Sequence, residues 1–323
     1  MGRPMLKVAV LDDYQGVAER FADWTRVRAQ CAVEFFGRPL HSVDEAATAL
    51  SDFDIVCLMR ERMPVPGALL QRLPKLKLIC VTGAHNRTLD LQAATARGIV
   101  VSHTENASTE HPTSELTWAL ILAAARSIVR ENRSVRAGGW QTTVGQTLHG
   151  RTLGLLGLGR VGKTVARIGA AFGMNLLAWS PNLTAERAAE VDARLVSKSA
   201  LFAESDVITV HLVLGDRTRG IVGADELALM RTDSILVNTS RGPLIQAPAL
   251  IAALRAGRPG VVALDTFDVE PLPADHPFRS MDNVLATPHL GYVTEDTYRQ
   301  FYANTVENIE AFLAGQPIRL LRH

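Results

Sequence analysis

Three stretches of this sequence gather side chains that can move charge and protons. They are Asn238-Thr239-Ser240-Arg241-Gly242, the run from Leu264 to Pro271 that holds Asp265 and Glu270, and Thr287-Pro288-His289-Leu290-Gly291. Each follows a short apolar run, and in open parallel sheets ligands bind just outside the carboxyl ends of the strands. A guanidinium aimed at an oxygen stabilises negative charge as it develops there. An imidazole gives or takes a proton near neutral pH, and a neighbouring carboxylate favours its charged form.

A fourth stretch suggests a ligand of a different kind. Gly157-Leu158-Gly159-Arg160-Val161-Gly162 follows the apolar run from Thr152 to Leu156 and opens a helical pattern with Val161, Val165, Ile168 and Phe172 on one face. Strand, glycine loop and helix in that order are the context a dinucleotide site requires. The first glycine permits the tight turn, the second lets backbone amides reach a pyrophosphate, and the third allows helix and strand to pack closely. Gly157, Gly159 and Gly162, with Arg160 and Val161, are therefore expected to hold a dinucleotide. An acidic residue about 20 positions further on usually takes the adenosine ribose. Here the chain reads Ala178-Trp179-Ser180-Pro181-Asn182, so Ser180 stands in that place and NAD and NADP are equally open.

Elements that position these groups follow from the apolar pattern. Short runs rich in Val, Ile and Leu alternate with longer Ala-, Leu- and Arg-rich stretches along the whole chain, the pattern of parallel sheets with crossover helices. Strands are predicted over 7–11, 33–36, 55–58, 78–81 and 100–102, then one helix over 113–136. Six further strands follow at 152–156, 176–179, 207–212, 235–238, 261–264 and 284–286, with a last helix near 295–313. The fold class is α/β, and 323 residues suit two domains.

Composition narrows the partners. Lys and Arg number 34 against 33 Asp and Glu, a net charge of +1, which lacks the basic excess that nucleic acid binding needs. The three cysteines, Cys31, Cys57 and Cys80, show no CxxC spacing and fit reduced thiols of a cytoplasmic protein. The longest apolar stretch, 116–125, is well short of the roughly 20 residues of a membrane-spanning helix, and the opening MGRPMLKVAVLDD reads as a first strand and not a signal peptide. His103 and His111 lie in no HExxH pattern and have no cysteine partner, so no metal site is expected. No GxSxG elbow supports a nucleophilic serine.

The three stretches stand in a fixed order behind the glycine loop, which is itself preceded by Gly139-Trp140 and by Leu148-His149-Gly150-Arg151-Thr152-Leu153-Gly154. On these motifs the chain resembles, nearly end to end, the D-isomer-specific 2-hydroxyacid dehydrogenase family, whose relatives include glyoxylate/hydroxypyruvate reductases and phosphoglycerate dehydrogenases. The resemblance implies that Arg241 binds a 2-oxo acid and polarises its carbonyl, that His289 is the acid/base and that Glu270 pairs with it. It implies that Asp265 holds the nicotinamide carboxamide and that the backbone N–H groups of Gly83 and Ala84 bind the substrate carboxylate. His211 and Thr239, at strand ends, are expected to touch the cofactor, and Arg60, after an early strand, to add charge to the substrate pocket. His85-Asn86-Arg87 departs from the commoner loop of the family, which leaves the particular acid open.

The expected architecture is two doubly wound parallel-sheet domains. A flavodoxin-like substrate domain, 1–103 plus 288–323, holds an inserted Rossmann-type coenzyme domain, 104–287, with the cleft between them. The expected activity is hydride transfer between NAD(P)H and C2 of a small 2-oxo acid such as glyoxylate or hydroxypyruvate. Phosphoglycerate or phosphite oxidation on the same scaffold, or a dinucleotide-sensing corepressor-like binding protein, are the alternatives. A homodimer is expected by analogy, through the 113–136 helix and the 138–147 arm.

Overall fold

Continuous apolar runs become strands covered on both faces. The computed structural model describes residues 5–105 and 110–322, and these divide into two compact units, one formed by the residues up to 105 and from 294 onward, the other by residues 110–293. The first unit holds β1 (Leu6–Val10), β2 (Cys31–Phe35), β3 (Ile55–Leu58), β4 (Leu78–Val81) and β5 (Val100–His103). They pair in parallel in the order β2-β1-β3-β4-β5, which is the flavodoxin-like order. Every residue of the inner strands β3 and β4 is buried, whereas the edge strand β2 alternates exposed residues with buried or half-buried ones.

Helices close this sheet by burying one face each. In Val43–Leu50, Ser42 caps the first turn by accepting the Glu45 N–H, and Ala46, Ala47 and Leu50 turn inward. Burying Leu50 completely contributes about 2 kcal/mol. The helix Glu295–Leu313 starts at Thr294, whose hydroxyl accepts the Thr297 N–H, and buries Tyr298, Phe301, Tyr302 and Ile309 within this unit.

The second unit holds β6 (Thr152–Leu156), β7 (Asn175–Trp179), β8 (Arg194–Leu195), β9 (Val207–Val210), β10 (Ile235–Asn238), β11 (Val261–Leu264) and β12 (Val284–Ala286). All pair in parallel, in the order β12-β11-β10-β9-β6-β7-β8. Counted from β6 this is the doubly wound dinucleotide order, and its direction reverses between β6 and β9, where such sheets open a crevice.

Several boundaries differ from the sequence reading. The seventh strand, β8, is two exposed residues at the sheet edge and carries no apolar pattern to reveal it. The single helix expected over 113–136 is two, Glu110–Ala125 and Ile128–Arg136, broken where Ser127 takes the left-handed conformation at φ 50°. The first buries Trp118, Leu120 and Ile121; the second buries nothing. Residues 288–293, assigned from sequence to the substrate domain, pack with the second unit because Leu290 and Gly291 bond to Asp265 there. Thr104, placed by sequence in the coenzyme domain, belongs to the first unit. No helix among the described residues is long and apolar enough to cross a membrane.

Candidate active site

The glycine loop begins at the β6 terminus. Gly157 has φ 106°, a conformation that excludes ordinary side chains, and a Cβ there would lie 2.7 Å from the His211 carbonyl carbon. A Cβ on Gly162 would lie 2.3 Å from the Gly157 oxygen, whereas one on Gly159 would meet open space. The loop is therefore closed on the protein side and open at Gly159, a cradle that fits the pyrophosphate of a dinucleotide. The helix Arg160–Ala171 starts at this point and directs its N-terminal dipole to the same place. Arg160 and Gly159 are exposed, Val161 is half-buried, and Ser180 stands half-buried just beyond β7 with no carboxylate at its side of the strand end.

His211 comes to this loop from β9. Its N–H donates to Leu156 O at 2.8 Å, its Nε2 is buried with no hydrogen-bond partner, and burial pushes its pKa down to about 4. A neutral ring with one unpaired nitrogen, packed against the glycine loop, has hydrogen-bonding capacity to spare for a bound dinucleotide. Thr239, expected to touch the cofactor through backbone or side chain, has its side chain engaged in the protein. Its hydroxyl lies 2.8 Å from that of Thr117 in the buried face of Glu110–Ala125, so the side chain ties helix to sheet and only its backbone is left for a cofactor.

The reactive groups converge beyond β10, β11 and β12. Nδ1 of His289 lies 2.6 Å from Oε2 of Glu270. Glu270 also accepts the Phe267 N–H at 2.9 Å through Oε1, which fixes the carboxylate plane. Burial alone would raise the Glu270 pKa, but the His289 hydrogen bond and charge, the Phe267 N–H and the charge of Arg241 outweigh it and hold the carboxyl below its usual range. Arg241 thus acts on the same carboxylate as His289. Its loop is shaped by Asn238, whose Nδ2 donates to Arg241 O at 2.9 Å and whose Oδ1 accepts the Ser240 N–H at 3.0 Å. With Nδ1 engaged, Nε2 of His289 is the nitrogen left to exchange a proton, and Tyr292 meets the ring edge-on at 5.6 Å.

Asp265, expected to hold the nicotinamide carboxamide, also bonds within the protein. It is fully buried, and its carboxylate accepts the Thr287 hydroxyl at 2.6 Å, the Leu290 N–H at 2.7 Å and the Gly291 N–H at 2.9 Å. Burial raises its pKa against the pull of these bonds and of the His289 charge. Three of its acceptor positions are thereby taken by the protein. The three partners bracket His289, which holds φ 53°, so Asp265 braces the catalytic loop. Asn238 and Thr287 were missed in the sequence; a polar residue at a strand's carboxyl end was the available signal for each.

In the first unit, the strand ends bring Arg60 and Gly83 together. A Cβ on Gly83 would lie 1.6 Å from Nη1 of Arg60, so only glycine lets the guanidinium lie there. Arg60 is itself left-handed at φ 54°, and its N–H donates to Thr82 Oγ1 at 2.7 Å. The expected anion-binding N–H of Gly83 instead donates to Thr104 Oγ1 at 2.7 Å, inside the protein. Gly83 therefore admits the arginine and does not donate to a ligand. Ala84 follows it, half-buried. Among the described residues, no group of three or more His, Cys, Asp or Glu side chains is arranged to hold a metal.

A parallel sheet with a dinucleotide cradle at its crevice, and a braced imidazole, carboxylate and guanidinium at the neighbouring strand ends, define a redox enzyme of carbonyl and hydroxyl groups. Residues 118–291 match the family model described as D-isomer specific 2-hydroxyacid dehydrogenase, NAD binding domain. A glyoxylate reductase of Aeropyrum pernix is 40% identical over 257 residues, 77% of this chain and 76% of that protein. A D-3-phosphoglycerate dehydrogenase of Methanocaldococcus jannaschii is 37% identical over 276 residues, which is 84% of this chain but 52% of the relative, so the chain spans about half its length. The crystal structure of a phosphoglycerate oxidoreductase from Vibrio cholerae matches with a TM-score of 0.89 at 36% identity, over 96% of this chain and 100% of that one. The chain belongs to the D-isomer-specific 2-hydroxyacid dehydrogenase family. It is an oxidoreductase of 2-hydroxy acids that acts on the CH–OH group with NAD(P).

Proposed function

We propose that this enzyme reduces a small 2-oxo acid, glyoxylate or hydroxypyruvate, to the D-2-hydroxy acid. The observation that carries the reading is the 2.6 Å pair of His289 and Glu270, with the Arg241 charge on the same carboxylate. Gly157, Gly159, Gly162 and the start of Arg160–Ala171 hold the dinucleotide, with His211 and Ser180 beside it. When bound, NAD(P)H supplies the hydride. Arg241 polarises the substrate carbonyl and stabilises the charge that develops on its oxygen. His289 delivers a proton to that oxygen, and Glu270 stabilises the imidazolium before the transfer. Arg60 and the loop at Ala84 take the substrate carboxylate, a bidentate match for a guanidinium. In the reverse direction His289 removes the hydroxyl proton.

The glyoxylate reductase of Aeropyrum pernix and a glyoxylate/hydroxypyruvate reductase B of Escherichia coli, 36% identical over 258 residues, support the choice of substrate. NADH and NADPH consumption, measured side by side with glyoxylate, hydroxypyruvate, pyruvate and a phosphorylated oxo acid, tests it. Turnover confined to the phosphorylated acid would move the assignment to phosphoglycerate chemistry.

The first unit is the substrate domain in this reading, and the second the coenzyme domain. A homodimer is supported by the apolar side chains left exposed on the second unit: Ile128, Val129 and Val135 on one helix, Trp140 and Val144 on the arm after it. A cytoplasmic location is supported by three cysteines that are all unpaired and buried.

A further inference from the structure

Arg60, proposed above to take the substrate carboxylate, holds a backbone conformation that arginine rarely adopts. Its φ of 54° is left-handed, and a residue with a side chain stays there only where its surroundings fix it. The loop after β4 does the fixing. Thr82 Oγ1 accepts the Arg60 N–H at 2.7 Å, and Asn86 Nδ2 donates to the Arg60 carbonyl at 2.9 Å. Both backbone polar groups of the arginine are thus held by side chains of that loop, while its Nη1 reaches over Gly83 to within 3.4 Å of Thr82 O. Asn86 is itself anchored. It is 8% exposed, and its Oδ1 accepts both the N–H and the hydroxyl of Thr88 at 2.9 Å. Because a backbone N–H can only donate, the amide oxygen must face Thr88 and the NH2 group must face Arg60. Thr88 is fastened in turn, its carbonyl accepting the Val65 N–H at 2.8 Å beside the parallel bridge of Val65 and Leu89.

We propose that Asn86 is a positioning residue for substrate binding: its amide holds the left-handed turn at Arg60 and so directs the guanidinium toward the oxo-acid carboxylate. The proposal rests on the reading of Arg60 as the carboxylate-binding group. Neither aspartate nor leucine can take over the amide's part. Aspartate keeps an oxygen for Thr88 but turns a second acceptor on the Arg60 carbonyl, and leucine offers no donor at all. The carboxylate of the substrate keeps its charge while C2 is reduced, so Arg60 holds it equally in the ground state and the transition state. A misdirected Arg60 therefore raises KM and leaves kcat in place.

The test compares Asn86→Asp, Asn86→Leu and Arg60→Ala with the two double variants. Steady-state kinetics use NADH and whichever of glyoxylate, hydroxypyruvate, pyruvate and a phosphorylated oxo acid the unmodified chain reduces fastest; a fluorescence titration gives NADH affinity. Each Asn86 variant is expected to raise KM for the acid about tenfold, as the loss of one hydrogen bond would give, with kcat within about twofold and NADH affinity preserved. In the Arg60→Ala background the same substitutions are expected to change KM less than about twofold, because residues that act through one another are not additive. A charge at Asn86→Asp that merely repelled the acid would act without Arg60 as well. Circular dichroism establishes that each variant is folded, and Asn86→Asp, which keeps an acceptor for Thr88, decides the matter if leucine prevents folding. An unchanged KM in Asn86→Asp, a parallel fall of kcat or of NADH affinity, or an equal rise in KM with and without Arg60 would overturn the proposal. If Arg60→Ala leaves KM as it is, the reading of Arg60 falls and the proposal with it. If Arg60→Ala raises KM and the Asn86 variants do not, the proposal alone fails.

Discussion

His289 and Glu270 carry the sharpest expectations. Replacing His289 by Asn removes the proton donor and leaves the glycine loop intact, so kcat for oxo-acid reduction falls at least about a hundredfold with NADH affinity preserved. Steady-state kinetics and a fluorescence titration of NADH check the two halves. In Glu270→Gln the imidazole loses the carboxylate that holds it, and kcat for reduction is expected to fall more than about tenfold with NADH affinity preserved. The Glu270 carboxyl lies below its usual range in the folded protein. Its contribution is therefore complete above the ordinary carboxylate range, near pH 4, and is lost as pH falls through the lowered value. An undiminished kcat in Glu270→Gln would remove the pairing from the mechanism. Asp265→Asn keeps the size but puts a donor where three donors already point; kcat is expected to drop more than tenfold, with a lower Tm in a thermal melt. Arg241, Glu270 and His289 were legible in the sequence through the resemblance that their order carries, and their types are what carbonyl reduction requires. The bonds that the Asp265 carboxylate and the Gly83 N–H make inside the protein were not legible, because sequence shows what a group can bond and not which neighbour reaches it first.

The elements were read most securely where the apolar pattern was continuous. β3, β4, β6, β10 and β11 match the predicted runs, since strands buried along nearly their whole length show a nearly continuous apolar run. β8 was invisible because two exposed residues have no pattern, and the break at Ser127 was invisible because a left-handed serine carries no mark in the sequence. The glycine loop yields a prediction at this scale. Gly162→Ala places a methyl 2.3 Å from the Gly157 oxygen, so the first turn of Arg160–Ala171 must move away from β6. NADH affinity is expected to fall at least tenfold, with some loss of Tm. Equilibrium binding followed by fluorescence, beside a thermal melt, measures both. Gly159→Ala meets no neighbour in the protein, so any loss of affinity there reports on the ligand alone.

For the molecule as a whole, pH and assembly are the levers. His211 is neutral and buried with its pKa near 4. The unfolded chain takes up that proton near pH 6.5 and the folded one does not, so stability declines as pH falls from about 6.5 toward 4 and the penalty is complete below that window. His211→Gln is expected to flatten the fall of Tm between pH 7 and pH 5, measured by calorimetry. The arm after Ile128–Arg136 is tied to its helix by Glu131, which accepts the hydroxyls of Thr142 and Thr143 and the Thr142 N–H and is held at about 2 by them. Val144→Asp on that arm places a charge on an exposed apolar surface; the proposed homodimer is tested by light scattering, which is expected to give the mass of two chains for the unmodified protein and of one for the variant. The cradle for the dinucleotide and the three reactive side chains all lie within the single contiguous stretch of residues 110–293. A substitution confined to residues 5–105, Arg60 among them, therefore leaves the glycine loop and the bonds among Arg241, Glu270 and His289 as they are.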